Sequence, residues 1–78
     1  MSDIVKRSVV IDGHRTSVSL EPAFWEVLKE IAERRGLSIN KLIAEIDRGR
    51  TGNLSSAIRV YVLRTVRGQQ QPEEAGRG

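Results

Sequence analysis

The dipeptide Asp12-Gly13 constrains the fold of this chain most, because it stands between two short runs that are β-branched or alternate in polarity. The runs are residues 8–11 and 15–20. Glycine adopts positive φ at no steric cost, so Asp-Gly between two such runs is the strongest short-range signal for a β-hairpin. The sequence therefore predicts a strand, a tight turn and a second strand.

The second predicted strand has one largely apolar and one polar face, since successive side chains of a strand point to opposite sides. The face that we expect to be buried carries Thr16, Val18 and Leu20. The polar face carries Arg15, Ser17 and Ser19. On the residues alone, the favoured explanation of that second face is the solvated side of an antiparallel sheet.

Two helices are predicted after the strand. Glu21-Pro22 opens the first, because proline is tolerated in a first turn and glutamate is favourable near the positive end of the helix dipole. Gly36 ends it, after about Arg35. Ser38 is a good N-cap for the second helix, which should stop near Gly49. Its apolar positions are Ile39, Leu42, Ile43 and Ile46.

A third helix is expected after a loop over residues 49–53, which contain two glycines and an asparagine. Asn53 can cap this helix, and its apolar side chains recur at helical spacing from Leu54 to Val66. We expect them to extend the core and the interface. The functional alternative is that Arg59, Arg64 and Arg67 form a second surface for DNA. Residues 68–78 have almost no apolar content, which predicts a domain over 1–67 and a disordered tail over 68–78.

Length and composition limit how such a chain becomes stable. A domain of 78 residues buries only about 60% of the surface that its unfolded chain exposes. Small domains therefore usually rely on disulfides, a metal or oligomerisation. The chain has no cysteine and one histidine, His14, so we expect an oligomer with no metal and no cofactor. No apolar run approaches the roughly 20 residues that cross a bilayer, and we expect a cytoplasmic protein without a membrane partner.

Charge is unevenly distributed along the chain, whose net charge is +3. Residues 48–67 carry five arginines and no acid, whereas residues 21–33 carry four glutamates and one lysine. Such asymmetry suggests a side that faces a polyanion. Arginines that only solvate the surface explain the charge alone equally well.

Several motifs taken together resemble the ribbon-helix-helix family of DNA-binding proteins, the Arc/MetJ type. They are the strand of alternating polarity, Leu20-Glu21-Pro22, a helix, the connection from Gly36 to Asn40 and a second helix. The resemblance implies an α+β fold, in which two protomers intertwine and pair their strands into an antiparallel β-ribbon. The N-terminal hairpin strand and the third helix are additions to that minimal fold.

The resemblance also implies a function. In this family the ribbon enters the major groove, so the chain would bind double-stranded DNA sequence-specifically as a homodimer, with higher-order assembly on DNA. It would serve as a transcriptional repressor associated with the nucleoid. The residues facing base edges would be Arg15, Ser17 and Ser19. Arg15 can donate two hydrogen bonds to a guanine.

Further site residues follow from the same resemblance. Backbone N–H groups at a helix start suit a phosphate, and ordinary helix capping is compatible with that role. The expected phosphate-binding residues are Ser38, Ile39, Asn40, Lys41, Lys6 and Arg7. The expected dimer core is formed by Thr16, Val18, Leu20, Trp25, Leu28, Leu42, Ile43 and Ile46.

The first strand complicates this ribbon. Two hairpins side by side would make four strands about 4.8 Å apart, too wide for a groove of about 12 Å. The first strand can lie along the DNA backbone as an arm that uses Lys6 and Arg7, it can curl away with the twist of the sheet, or the sheet can stay outside DNA. We expect an arm or a curled hairpin.

Other functions are also open at this point. Ala32, Gly36 and Leu42 fall at offsets typical of a helix-turn-helix, in which the second helix would enter the groove. An antitoxin that binds a protein partner through its tail is another alternative, although residues 68–78 offer few apolar anchors. An enzyme is not expected, because the sequence shows no nucleophile, base and orienting group together.

Overall fold

The computed structural model of the chain describes residues 3–50 and 52–70. It is an α+β fold in which an N-terminal hairpin precedes three helices, as the sequence predicts. The strands are β1 (Val5–Ile11) and β2 (His14–Leu20), and the helices are α1 (Pro22–Arg35), α2 (Ile39–Gly49) and α3 (Leu54–Gln70). β1 begins three residues earlier than predicted, because the alternation that starts at Ile11 continues back through Val9 and Arg7 to Val5.

The hairpin turn adopts the backbone conformation that Asp12-Gly13 predicts. Both residues have positive φ, 50° at Asp12 and 82° at Gly13, which is characteristic of a two-residue type I′ turn. β1 and β2 pair antiparallel along their whole length, from Ile11 opposite His14 to Val5 opposite Leu20. Of the two arrangements expected for the first strand, an arm or a curled hairpin, the structure shows a paired hairpin, and the arm is wrong because the backbone groups of β1 are used in the ladder.

One face of the hairpin packs against all three helices and forms the core with them. β1 contributes Val9 and Ile11, and β2 contributes Val18 and Leu20. The helices supply the remaining buried apolar side chains, which are Leu28, Ile31, Ala32, Leu42, Ile43, Ala44, Ile46, Ile58 and Val62. The described part of the chain thus closes an apolar core by itself, with a second strand that comes from its own N-terminus.

The residues expected in a dimer core are mostly buried within this single chain. Six of them are fully packed: Val18, Leu20, Leu28, Leu42, Ile43 and Ile46. Trp25 is half-buried, and Thr16 is exposed although it lies on the helix-facing side of β2. Thr16 stands opposite the buried Val9, so at this level of the hairpin the core covers β1 but not β2. Because these side chains are buried without a second chain, their burial does not test dimerisation, which stays a prediction.

Local capping fixes where α1 ends and α2 begins. Gly36 has φ of 71°, and the N–H of Leu37 donates to the Ala32 carbonyl at 2.9 Å, a C-terminal closure that favours glycine. Two residues later the Ser38 hydroxyl accepts from the Lys41 N–H at 3.1 Å. Ser38 is therefore the N-cap of α2, as predicted.

Asn53 caps α3 in the same way, because its side-chain oxygen accepts from the Ser56 N–H at 3.1 Å. α3 continues to Gln70, three residues past the position where the sequence predicts that the domain ends. Helical hydrogen bonding therefore carries through Gly68, although glycine is a poor helix former. The remaining predicted tail, residues 71–78, lies outside the described residues.

Several arginines pair with acids of the same chain, and most of these pairs connect different elements. Arg35 of α1 donates to the Tyr61 hydroxyl at 3.1 Å and pairs with Glu45 at 3.1 Å. Arg48, Arg50 and Arg59 lie near carboxylates of Asp12, Asp47 and Glu21 respectively. Three of the five arginines in the basic run thus lie near acids within the chain, so part of the positive charge of this run is balanced within the fold.

Candidate nucleic-acid interface

The outer face of the hairpin is the side that points away from the helices. Its six side chains form three cross-strand pairs, Lys6 with Ser19, Ser8 with Ser17, and Val10 with Arg15. All are exposed except Ser19, which is half-buried. The sequence predicts Arg15, Ser17 and Ser19 on one polar face, and the structure places them on a common face together with the β1 residues.

Charge on the outer face is entirely positive. Lys6 and Arg15 lie near opposite ends of the hairpin and on different strands, and the other four side chains are neutral. The acid that follows in the turn, Asp12, lies 3.9 Å from Arg48 of α2. The outer face is rich in hydroxyl groups and has a cation near each end. Such a face suits a ligand in which phosphates flank a row of hydrogen-bonding groups.

The N-terminus of α2 lies beside β1. The Val10 N–H points out of the hairpin and donates to Asn40 Oδ1 at 3.5 Å. Ser38, Asn40 and Lys41 are exposed here and Ile39 is half-buried. The first N–H groups of a helix have no partner within the helix and attract anions. The structure therefore brings the predicted phosphate-binding helix end next to the outer face.

α3 contacts the opposite edge of the hairpin at Ser19. In an antiparallel ladder alternate residues turn their backbone groups away from the paired strand, and at Ser19 these groups reach α3. The Ser19 N–H donates to the Ser55 hydroxyl at 3.0 Å, and Arg59 donates to the Ser19 carbonyl at 3.4 Å. The sequence predicts α3 but gives no signal for this contact, because it joins residues 36 and 40 positions apart.

Arg59 also forms an ion pair with Glu21, at 3.1 Å between Nε and Oε1. The pKa of Glu21 is lowered by the hydrogen bond from its own backbone N–H, and further by the hydrogen bond and positive charge of Arg59. Glu21 directly follows β2 and precedes α1. The pair therefore ties α3 to the junction between the hairpin and the first helix.

Arg7 lies on the other side of the hairpin from Lys6, although the sequence predicts a phosphate contact for each. It is half-buried on the helix-facing side, and its Cζ lies 4.6 Å from the centre of the Trp25 ring. A guanidinium over a tryptophan face is a favourable cation–π arrangement. Lys6 is thus grouped with the predicted base-reading residues, whereas Arg7 packs against α1.

The residues that sequence reasoning missed are Ser8 and Val10. The signal for them was present, because a two-residue Asp-Gly turn fixes the register of a hairpin. That register places Val10 opposite Arg15 and Ser8 opposite Ser17. The pattern of residues 8–11 taken alone predicts only a strand, whereas the register gives each of these positions a partner on β2.

Neither a metal site nor a membrane span is found among residues 3–50 and 52–70. These residues hold no cluster of His, Asp and Glu that could bind a metal ion. In the same ranges, no helix has both the length and the apolar character needed to cross a membrane. α2 buries Leu42, Ile43, Ala44 and Ile46, which leaves few of its side chains for reading bases and disfavours the helix-turn-helix alternative.

Comparison with known proteins agrees with this geometry. A solved structure of an uncharacterized protein from Bordetella pertussis Tohama I is similar over 96% of this chain, with 34% identity and a TM-score of 0.77. This chain spans 65% of that protein's length. No curated protein matches.

The ribbon-helix-helix domain family matches residues 4–66. Domains of this family are typically non-enzymatic modules that bind DNA as dimers, and they occur in regulators and antitoxins. The match covers both strands, the first two helices and most of α3. The chain therefore belongs to the ribbon-helix-helix family.

Proposed function

We propose that this chain binds double-stranded DNA sequence-specifically and acts as a transcriptional repressor. The observation that carries the proposal is the outer face of the hairpin, on which Arg15, Ser17 and Ser19 lie together with Lys6 and no acid. Strands about 4.8 Å apart form a ribbon that a major groove of about 12 Å admits. A repressor of this kind acts on the nucleoid, in the cytoplasm.

Roles within the site follow from side-chain chemistry. Arg15 presents a planar fork of donors that matches O6 and N7 of guanine, and such a pair is worth about 1 to 3 kcal/mol of discrimination. Ser17 and Ser19 each offer a hydroxyl that donates or accepts, so they add contacts with less selectivity. Ser19 is the more restricted of the two because α3 covers its backbone.

Phosphate contacts would flank the ribbon. The N–H groups at the start of α2, over Ser38, Ile39 and Asn40, lie beside β1, and Lys41 is exposed in the same turn. Lys6 supplies a cation at the end of the outer face away from the turn. These groups position the protein on DNA without reading sequence.

We further propose that the working unit is a homodimer, as is typical of the family. The core does not require a second chain, so the dimer must form through surface that one chain leaves exposed. α3 leaves two large apolar side chains exposed, Val60 and Leu63. Light scattering at micromolar concentration measures the mass directly, and a monomer at the highest concentrations would contradict this part of the proposal.

Selection from a random pool of duplexes tests the function itself. Purified full-length protein is incubated with the pool, and bound duplexes are recovered and sequenced over several rounds. We expect a defined site, bound about a thousandfold or more tightly than a scrambled duplex of equal length. Recovery of no preferred sequence, or equal binding to selected and scrambled duplexes, would refute sequence-specific recognition.

A further inference from the structure

We propose that the outer face of α3 belongs to the homodimer interface, where it packs antiparallel against the same face of a second copy of this chain. The inference rests on the proposed function and makes it more specific, because it gives the dimer a surface that the minimal ribbon-helix-helix fold lacks. The outer face of α3 is formed by the exposed side chains over residues 56–67, which are Ser56, Val60, Leu63, Arg64 and Arg67.

Two large apolar side chains lie in the middle of this face. Val60 is 46% exposed and Leu63 is 54% exposed. In the described part of the chain, no other helix leaves a large apolar side chain exposed in this way. Residues three apart are neighbours on a helix surface, so the two side chains form one apolar patch. Removing such a patch from water is favourable.

The patch lies near the strand edge through which dimers of this family form. Pairing with a second copy of β2 uses the edge that β1 leaves open. α3 contacts this edge at Ser19, through Ser55 and Arg59. Leu63 follows Arg59 by four residues and is its neighbour on the helix surface. A second copy that pairs with β2 therefore comes alongside α3, and the outer face of α3 continues the same interface.

An interface around a two-fold axis must match itself, and this face does so when two α3 helices run antiparallel. With the axis midway between Val60 and Leu63, each Val60 stands opposite Leu63 of the second copy. The same axis places each Arg67 opposite Ser56 of the second copy. A rise of 1.5 Å per residue then separates the two Arg67 residues by about 16 Å along the helices. A parallel arrangement would put each Arg64 and each Arg67 beside its own equivalent.

The groove between α2 and α3 offers a place for the opposing leucine. Val60 lines this groove, whose volume is about 420 Å³. Apolar surface on its walls comes from Ile46, Ala57 and Tyr61. Because Leu63 of the second copy stands opposite Val60, its side chain reaches the groove, and the symmetric contact forms at the other end of the interface.

Sedimentation equilibrium of the full-length chain measures the dissociation constant of the dimer. Leu63→Ala should raise it tenfold or more, because about half of a leucine side chain is left unburied twice in a symmetric dimer. Val60→Ala should raise it by a smaller factor. The matched controls are Ile4→Ala and Val10→Ala, since these side chains are 56% and 45% exposed but lie outside α3. Both controls should dissociate as the wild type does.

Disulfide cross-linking tests the antiparallel arrangement, because the chain has no cysteine of its own. Val60→Cys and Leu63→Cys are purified separately and are oxidised either alone or as a mixture. The mixture should give a linked heterodimer in higher yield than either variant gives alone, since the two positions stand opposite each other. Higher yields from the separate variants would contradict the proposed packing.

The binding of DNA separates this inference from the proposed function. Leu63→Ala should bind the selected duplex as the wild type does once its concentration exceeds the dissociation constant of its dimer, because the base-facing residues are unchanged. If the wild type dimerises and Leu63→Ala dissociates like Ile4→Ala, the inference is overturned while the proposed function stands. The face would then be left to another partner, such as an acidic segment that suits its arginines.

Two further outcomes concern the proposed function itself. If the wild type is a monomer at the highest concentrations, the proposed homodimer fails first and this inference fails with it. If the wild type dimerises through α3 but selects no duplex, sequence-specific recognition fails while the inference stands.

Discussion

Arg15 is the single residue from which the most sequence discrimination is expected. Its replacement by alanine should reduce affinity for the selected duplex by about 1 to 3 kcal/mol, and affinity for a scrambled duplex by much less. Binding curves on the two duplexes measure the difference. Arg34→Ala, which removes an exposed arginine from α1, is the control for loss of one positive charge. Equal losses on both duplexes would make Arg15 a phosphate contact.

Glu21 should make stability depend on pH. Its pKa is lowered in the folded chain, first by its own backbone N–H and then by Arg59. A carboxyl group with a lowered folded pKa stabilises the fold fully above its unfolded pKa, and this contribution is lost as the pH falls through the folded pKa. Denaturant unfolding of wild type and Glu21→Gln between about pH 6 and pH 2 should therefore show a smaller acid-induced loss in the variant.

The control for removing a carboxylate is Glu30→Gln, which changes an exposed residue of α1. It should lose stability with falling pH as the wild type does. If Glu21→Gln also follows the wild-type curve, the pair with Arg59 does not contribute to stability. The same measurement on Arg59→Gln separates the part of the effect due to Arg59 from the part due to the backbone.

Neighbouring residues of like charge can have unlike roles. Lys6 and Arg7 are adjacent cations, and from the sequence both are expected to contact phosphate. Because strand side chains alternate, only Lys6 reaches the outer face, and Arg7 stacks on Trp25. The alternation was predictable from the sequence, but the contact with Trp25 was not, since it depends on where α1 packs against the sheet.

At the level of elements, the hairpin turn is the feature that the sequence predicts best. Gly13→Ala should destabilise the chain by about 1 to 2 kcal/mol, because an alanine at φ of 82° is strained whatever the surrounding space. Gly49→Ala is the matched control, since an added Cβ meets nothing within 4 Å at either position and Gly49 is helical. Thermal unfolding should show a loss only for Gly13→Ala, and equal effects would rule out backbone strain.

The start of α2 combines capping with the proposed phosphate contact, and two substitutions separate them. Ser38→Ala should cost about 1 kcal/mol of stability through loss of the cap. Ser38→Asp keeps a capping oxygen but adds a negative charge, so stability should be retained while affinity for every duplex falls. Ser56→Asp, in the first turn of α3, controls for the added charge. Unchanged affinity in Ser38→Asp would place the phosphate elsewhere.

Elements differed in how far their sequences predicted them. Caps and glycines located the starts and ends of α1 and α2 closely, because these signals act through the backbone of a few adjacent residues. The end of α3 at Gln70 was missed, since the polar residues 68–70 carry no apolar pattern to extend the helix. The sequence does not decide between an arm and a paired strand, because the burial of Val9 and Ile11 depends on how α2 packs against β1.

For the whole molecule, affinity should fall linearly with salt on a double logarithmic scale, with a slope of about −0.9 per phosphate contacted. Lys41→Gln should reduce the magnitude of that slope by about one without changing which sequence is preferred. Lys29→Gln is the control, because Lys29 pairs with Glu26 on α1, 3.3 Å away. A slope that Lys41→Gln leaves unchanged would remove Lys41 from the contact surface.

For the whole molecule, the sequence and the structure differ most in the reason that they give for a dimer. From length and composition, a second chain is expected to complete the core. In the structure β1 supplies the second strand, and the described part of the chain buries an apolar core of its own. The fold class and the polar face could be predicted from the sequence. Whether β2 pairs with β1 of the same chain could not, because this depends on how the hairpin packs against the helices.

The pairing of β2 with β1 of the same chain has a consequence for symmetry. A ribbon made from two copies of one strand has a two-fold axis, and the bases under it must form a palindrome to be read equally by both halves. β1 and β2 have different sequences, Val5 to Ile11 and His14 to Leu20, so a ribbon made from them has no such axis. The outer face of one hairpin is therefore asymmetric, and a two-fold axis that relates two copies of the chain must lie outside the hairpin.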